Sequence, residues 1–186
     1  MKPGYVRIIG GKWRSRRLKV PDIKDLRPTP DRVRETLFNW LSPVIAGAHC
    51  LDAFAGSGVL GFEALSRGAA SIDMVDQSKE VVELLQEEAI LLGAHSISIY
   101  RATLPHGLRA PEQAFDIVFL DPPYQNNVLL PCCFYLDKQQ YLAKGAYIYL
   151  EANREISTEE LPPSWQLLKK KVAGQVAYHL FQAGSA

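Results

Sequence analysis

The stretch Asp52-Ala53-Phe54-Ala55-Gly56-Ser57-Gly58-Val59-Leu60-Gly61 decides the fold, because it places the spacing G-x-G-x-x-G between two apolar segments. The apolar run 50–54 predicts a short buried strand, and the segment 59–67, stopped by Gly68, predicts a helix. A glycine-rich turn between a strand and a helix lets the backbone approach a ligand closely. The pattern therefore predicts a cofactor site in an α/β sheet.

The alternation of strand and helix continues on the C-terminal side of this loop. Apolar runs predict four more strands, at 71–76, 97–100, 115–120 and 145–150. Ser78 is placed to cap a long helix that ends near Leu92, with Gly93 beyond it. The stretches 165–171 and 175–181 predict a terminal antiparallel hairpin. We therefore expect a doubly wound α/β fold, with a sheet covered on both faces.

Two acidic residues near the glycine loop indicate the cofactor. The loop alone suits NAD as well as S-adenosylmethionine (SAM). Asp76 follows the next predicted strand, where a carboxylate can hold ribose hydroxyls. Asp52 lies just before the loop, where it would repel a pyrophosphate and attract the ammonium and sulfonium of SAM. SAM is therefore favoured over a nicotinamide cofactor, and the alternative role of Asp52 is to cap the loop's own amides.

A second motif, Asp121-Pro122-Pro123-Tyr124, follows the predicted strand 115–120. A carboxylate and a backbone carbonyl can accept the two N–H bonds of an exocyclic base amine and favour its nucleophilic form. The prolines fix the backbone, and the tyrosine can stack on a base. In a doubly wound sheet this motif and the glycine loop would face each other across one cleft. The alternative is a proline turn with a surface tyrosine.

The N-terminal segment is strongly basic. Residues 1–34 hold eleven Lys and Arg against three Asp, a net charge of +8 in a chain whose total is +1. The segments 6–9 and 12–20 predict a hairpin that turns at Gly10-Gly11. Three basic residues would alternate on one face of the second strand, and they are Lys12, Arg14 and Arg16. Trp13 and Arg17 would point to the other face. Such a surface suits a nucleic-acid backbone.

A Pro-marked linker, 21–30, leads from this hairpin to a helix. Thr29 is placed to cap the helix, with Pro30 as its first residue. Apolar residues at helical spacing carry the helix to Leu41, and Ser42-Pro43 ends it.

The sequence argues against a disulfide-linked, a metal-binding, a membrane-spanning or a secreted protein. The three cysteines lack a C-x-x-C spacing and the four histidines lack metal spacing, so we expect neither disulfides nor a metal site. No apolar run is long enough to span a membrane, and no secretory signal is recognisable. These features favour a cytoplasmic protein.

The order of these motifs resembles that of class I SAM-dependent methyltransferases. More specifically, four segments resemble the RsmD-type 16S ribosomal RNA guanine-N2 methyltransferases of bacteria, namely 7–11, 26–29, 31–41 and 171–176. The similarity covers about residues 6–182. It implies a Rossmann-like sheet of seven strands with an N-terminal β-hairpin extension. It also implies methylation of one guanine N2 in 16S rRNA, within the assembled small ribosomal subunit.

The resemblance assigns roles by position. Residues 1–44 would form a basic RNA-binding extension, and residues 45–186 would form the methyltransferase domain. The residues expected to bind SAM are Thr29, Asp52, Ala53, Phe54, Gly56, Gly58, Asp76, Gln77, Ala102 and Thr103. The residues expected to act on the amine are Asp121, Pro122, Pro123 and Tyr124. The residues expected to bind RNA are Arg7, Lys12, Arg14, Arg16 and Arg17.

One position departs from the family pattern, and two other functions stay open. Such enzymes often place an Asp or Asn where this chain has Arg101, and a guanidinium cannot accept a hydrogen bond from adenine. We therefore expect the Ala102 backbone or Thr103 to contact adenine. The resemblance also implies that Arg27-Pro28-Thr29 closes over the methionine moiety. The alternatives are a DNA adenine-N6 or cytosine-N4 methyltransferase and a non-catalytic RNA-binding assembly protein.

Overall fold

A seven-stranded sheet forms the centre of the structure, a computed structural model that describes residues 4–21, 29–123, 127–174 and 176–184. The strands are β1 Gly4–Arg7, β2 Arg17–Val20, β3 His49–Asp52, β4 Ser71–Asp76, β5 Ile97–Arg101, β6 Phe115–Leu120, β7 Leu142–Ala152, β8 Trp165–Ala173 and β9 Val176–Ala183. The large sheet has the order β5-β4-β3-β6-β7-β9-β8, and β1 and β2 form a separate hairpin. The first five strands of that order run parallel, and β9 runs antiparallel to both β7 and β8. The predicted fold class is confirmed.

Helices cover both faces of this sheet. They are α1 Asp31–Leu41, α2 Val59–Ser66, α3 Lys79–Leu92 and α4 Leu129–Lys138, with a 3₁₀ turn at Thr158–Glu160. One core cluster joins the hairpin, α1, α2 and α3 on one face of the sheet, and a second joins α4 to the other face. In the described part of the chain, no helix is long and apolar enough to cross a membrane.

The predicted boundaries of α3 are correct because local chemistry sets them. The Ser78 hydroxyl accepts a hydrogen bond from the Val81 amide at 3.3 Å, and Gly93 ends the helix at φ +63°. Helix α4 was not predicted from the sequence. Its apolar residues lack a clear helical period, and Pro131 in its first turn gives the signal of a loop although a helix tolerates it there.

The predicted cap of α1 is wrong. The N-cap position belongs to Pro30, and the Thr29 side chain makes no capping hydrogen bond. The Thr29 hydroxyl lies instead near two carboxylates at the carboxyl edge of the sheet, at 3.4 Å from Asp121 and from Glu151. A tertiary contact has therefore replaced the local one.

The predicted hairpin exists, but its second strand begins at Arg17 and not at residue 12. Residues 8–16 form a long loop in place of the expected turn at Gly10-Gly11. The reason is that this loop binds α2: the Lys12 amide donates to the Ser66 carbonyl at 2.8 Å, and Trp13 is buried. A Cβ on Gly11 would lie 1.8 Å from that carbonyl, so the close approach requires glycine.

A buried carboxylate, Glu63 of α2, holds this loop to the rest of the fold. It accepts hydrogen bonds from the amides of Ile9 at 2.7 Å and Gly10 at 2.8 Å. It also contacts two guanidinium groups, Arg34 at 3.5 Å and Arg67 at 2.6 Å. Glu63 and Arg34 are fully buried, and a buried ion pair of this kind is strongly destabilised when one partner is removed.

Candidate functional site

The central strands β3 and β6 are neighbours and run parallel, with Asp52 opposite Phe119. The chain continues from β3 to one side of the sheet and from β6 to the other. This is the switch point of the fold, where ligands of doubly wound sheets bind outside the carboxyl ends of the strands. The glycine loop and the segment that begins at Asp121 follow β3 and β6 at that edge, as the sequence predicts.

The glycine loop adopts backbone conformations that favour glycine. Gly56 has φ +50° and Gly58 has φ +73°. A Cβ on Gly58 would also lie 2.4 Å from the Leu85 side chain, so the loop lies closely against α3. The Gly56 amide donates to Asp76 Oδ2 at 3.0 Å. The loop is thus held by the strand end that was predicted to hold a ribose.

Asp52 is buried at the base of the loop. Its Oδ2 accepts a hydrogen bond from the Gly61 amide at 3.0 Å, in the first turn of α2. The capping role considered from the sequence is therefore present. Burial raises the pKa of Asp52 to about 7, and the nearby negative charge of Asp76 adds to the rise, whereas the Gly61 amide opposes it. A nearby cation would favour the ionised form of the Asp52 carboxyl, because it would lower the pKa of that group.

Several polar groups in the region expected to hold the adenosine already form hydrogen bonds within the protein. Asp76 Oδ1 accepts from the Ser78 amide at 2.8 Å, which leaves lone pairs on both of its oxygens. The Ala102 amide donates to the Asp76 carbonyl at 3.0 Å, so only the carbonyl of Ala102 can contact a base. Arg101 is exposed and donates to the carbonyl of Gln77 at 2.8 Å. Thr103 is exposed.

Asp121 lies directly after β6 and is half-buried. Its Oδ2 is 3.4 Å from the hydroxyl of Thr29, which joins the start of α1 to the site. Pro122 is buried and Pro123 is exposed. Tyr124, like Arg27 and Pro28, lies outside the described residues.

Glu151, at the end of β7, could be interpreted from the sequence equally as a residue that lines the cleft or as a surface acid, and it was not among the predicted site residues. It is buried, accepts a hydrogen bond from the Tyr149 hydroxyl at 2.8 Å, and lies 3.4 Å from the Thr29 hydroxyl. The single proton of Thr29 therefore lies between the carboxylates of Asp121 and Glu151. The position of Glu151 just past an apolar strand was a usable signal, because β6 and β7 end at the same edge of the sheet.

The electrostatic character of this cleft is negative. Burial raises the pKa of Asp121 well above its usual range, and the charges of Glu151 and Asp52 raise it further, while the Thr29 hydroxyl lowers it. A site of this kind favours a positively charged ligand.

The described residues contain no group of three or more His, Cys, Asp or Glu side chains that could hold a metal ion.

The basic residues predicted to bind RNA separate into two groups. Arg7 and Arg17 face each other across the hairpin, and both are exposed. Lys12, Arg14 and Arg16 lie in the loop and do not share a strand face. Lys12 stacks over the Trp13 ring at 4.1 Å, and Arg16 donates to the Leu91 carbonyl at 3.2 Å, near the end of α3.

Comparisons with known proteins agree with this geometry. The family model described as Conserved hypothetical protein 95 matches residues 6–182. Ribosomal RNA small subunit methyltransferase D of Escherichia coli K12 is 46% identical over 179 residues, which cover 96% of this chain and 90% of the relative. The protein of the same name from Haemophilus influenzae is 41% identical over 183 residues, with coverages of 96% and 94%. A solved structure from Escherichia coli, described as a candidate methyltransferase, has a TM-score of 0.89 at 44% identity and covers 98% of this chain and 100% of that one.

Proposed function

The chain belongs to the RsmD-type family of ribosomal RNA small subunit methyltransferases, and from that premise we propose that it methylates the exocyclic N2 of one guanine in 16S rRNA. The observation that carries this proposal is the position of Asp121-Pro122 beside the glycine loop, at the carboxyl ends of β6 and β3. In this proposal residues 1–44 supply RNA contacts and residues 45–186 supply methyl transfer. On this proposal the activity would be cytoplasmic, as expected from the sequence.

The acidic cleft fits SAM better than it fits a pyrophosphate cofactor. Asp52, Ala53, Phe54 and the loop 56–58 would line the methionine end, with Thr29 beside it. Asp76 would hold the ribose hydroxyls, and Gln77, Ala102 and Thr103 would border the adenine. When bound, SAM supplies a methyl group on a sulfonium that leaves as a neutral thioether. The negative cleft attracts the sulfonium of SAM before transfer. This attraction is lost when the neutral thioether forms.

The residues after β6 would prepare the acceptor nitrogen. Asp121 and the Pro122 carbonyl would each accept one N–H bond of the guanine amine, which directs the nitrogen lone pair away from the ring and towards the methyl group. Tyr124 would stack on the base. Much of the rate enhancement would then come from placement, because the sulfonium is already a good leaving group.

The carboxylate pair would accept the proton that the reaction releases. Formation of the N–C bond, with cleavage of the S–C bond, leaves the nitrogen with one proton more than the product amine holds. Asp121 is the nearest acceptor in this arrangement, and its raised pKa makes its carboxylate a stronger base than an ordinary one. Glu151 would set that pKa through its charge and through the Thr29 hydroxyl between them.

The test is methyl transfer from labelled SAM to small ribosomal subunits that lack the modification. Free 16S rRNA and duplex DNA are assayed alongside, and the label is located by nucleoside analysis. N2-methylguanosine from ribosomal RNA supports the proposal. N6-methyladenine or N4-methylcytosine in DNA identifies a DNA amino-methyltransferase instead. SAM binding without transfer to any substrate refutes the proposed substrate, and Asp121→Asn serves as the inactive control.

A further inference from the structure

We infer that the exposed face of the N-terminal hairpin, formed by Tyr5, Arg7, Arg17 and Lys19, holds single-stranded RNA that flanks the target nucleotide. We call it the hairpin face. A base would stack on Tyr5, and phosphates would contact the cations around it. The inference rests on the proposed function, and it gives a different RNA surface from the alternating Lys12, Arg14 and Arg16 expected from the sequence.

The pairing register defines this surface. Val6 pairs with Leu18, and both are buried against the core. The flanking pairs, Tyr5 with Lys19 and Arg7 with Arg17, therefore point outward. One aromatic ring thus lies among three cations on a small two-stranded sheet.

The exposed ring and the closely spaced cations of the hairpin face would be unfavourable on a surface that binds no partner. Tyr5 is 56% exposed. Arg7 and Arg17 are directly opposite, and like charges at such positions destabilise a hairpin. Arg7 approaches Asp31 at 3.7 Å, but within the described residues neither Arg17 nor Lys19 forms an ion pair. A polyanion with unstacked bases complements both the charge and the exposed ring.

A short series of contacts connects the hairpin face to the acceptor site. The Arg7 carbonyl accepts from Arg34 at 2.9 Å, and the same guanidinium donates to the Thr29 carbonyl at 3.1 Å. The Thr29 hydroxyl in turn lies 3.4 Å from Asp121. Two side chains therefore separate the end of β1 from the carboxylate that would hold the target amine. RNA on the hairpin face would be within a few nucleotides of that amine.

The hairpin loop lies at the opposite edge of the fold. The Lys12 backbone amide donates to the carbonyl of Ser66, the last residue of α2, and the Arg16 guanidinium donates to the carbonyl of Leu91, next to the last residue of α3. Helices in such a sheet begin at its carboxyl edge and run away from it, so their last residues are distant from the cleft. Lys12 and Arg14 are thus cations of the same hairpin that lie far from the acceptor site.

This separation supplies a matched control. The double variant Arg17→Ala/Lys19→Ala removes two charges from the hairpin face. The double variant Lys12→Ala/Arg14→Ala removes two charges from the loop. Tyr5→Ala removes the ring, and Tyr5→Phe retains it. All of these side chains are exposed, so we expect each variant to melt within a few degrees of the parent protein.

Binding is measured by fluorescence anisotropy with a short, labelled, mixed-sequence single-stranded RNA between about 50 and 200 mM KCl. We expect the hairpin-face double variant to reduce the slope of log Kd against log salt by about 1.4, at about 0.7 for each lost contact to a single strand. We expect the loop double variant to leave the slope unchanged. Tyr5→Ala should weaken binding about tenfold or more, and Tyr5→Phe should restore it.

Methylation of small subunits separates this inference from the proposed function. If the parent protein transfers no methyl group to ribosomal RNA, the proposed function fails. If the parent is active but the two double variants have equal salt slopes, the inference about the hairpin face is overturned. It is also overturned if the hairpin-face variants methylate free 16S rRNA like the parent and fail only on subunits, because the face would then contact a ribosomal protein.

Discussion

Replacement of Asp52 by Asn isolates the energetic cost of the buried acid beneath the glycine loop. An amide oxygen can still accept the hydrogen bond from the Gly61 amide, now at 3.0 Å, so the local geometry is retained. The variant removes the ionisation and also weakens the hydrogen bond that the carboxylate accepts from the Phe54 backbone, a loss that does not vary with pH. Because the pKa of Asp52 rises from an ordinary value of 3.8 to about 7 in the folded protein, the unfolded chain loses this proton at lower pH than the folded one. The free energy of unfolding therefore falls as pH rises between those two values.

The magnitude follows from the two pKa values. Between pH 5 and pH 8 this single acid should lower the stability of the parent protein by roughly 2.5 kcal/mol, at 1.36 kcal/mol per unit of pKa difference. Other acids contribute similarly to parent and variant, so they largely cancel in the difference. We expect Asp52→Asn to gain roughly 2.5 kcal/mol relative to the parent across that range.

The assay is equilibrium unfolding in urea, followed by far-UV circular dichroism at pH 5, 6, 7 and 8. Glu83→Gln, which neutralises an exposed carboxylate of α3, is the control and should show no comparable change with pH. A difference between Asp52→Asn and the parent that stays constant with pH would refute the argument from burial. Saturating SAM should reduce the parent's loss at high pH, because a cation beside Asp52 favours its ionised form.

Three further variants test other parts of the structure. Asp121→Asn should lower kcat by about 100-fold or more, while the Kd for SAM changes only a few-fold; transfer at near-parent rates would exclude the proposed role. Glu151→Gln should move the acidic limb of the kcat profile to lower pH, because the neighbouring charge that raises the pKa of Asp121 is gone, and an unshifted limb would argue against coupling. Glu63→Gln should destabilise the fold by roughly 3–5 kcal/mol in urea unfolding, since among the described residues the buried Arg34 then has only the exposed Asp31 as a charged partner; a loss below about 1 kcal/mol would contradict this assignment.

Local sequence signals predicted the parts of the fold that local chemistry determines. The glycine loop, the cap at Ser78 and the apolar runs of β4 and β6 each have a short-range physical cause, and the structure has them at the expected positions. The alternation of strands and helices along the chain was enough to predict a switch point after β3 and β6. The motif after β6 therefore came to lie beside the glycine loop, as expected.

Contacts between distant residues account for what the sequence did not reveal. The Thr29 hydroxyl meets Asp121 across 92 residues and Glu151 across 122 residues, and no periodicity reports such a pairing. The loop 8–16 has the alternation of a strand, but its amides bind Glu63 and Ser66 of a helix more than fifty residues away. Tertiary partners thus replaced the local preference in both places.

The attachment of the hairpin to Glu63 bears on whether this element can be exchanged between proteins. Its docking surface is built from α2 as well as from its own residues, through the Glu63 carboxylate and the Ser66 hydroxyl, which binds the Trp13 amide at 2.9 Å. A hairpin grafted onto another protein with the same sheet would lack these acceptors and would not hold its orientation. Recipient proteins would need the α2 acceptors and Arg34 transferred together with the hairpin. The element is therefore portable only as a discontinuous set of residues.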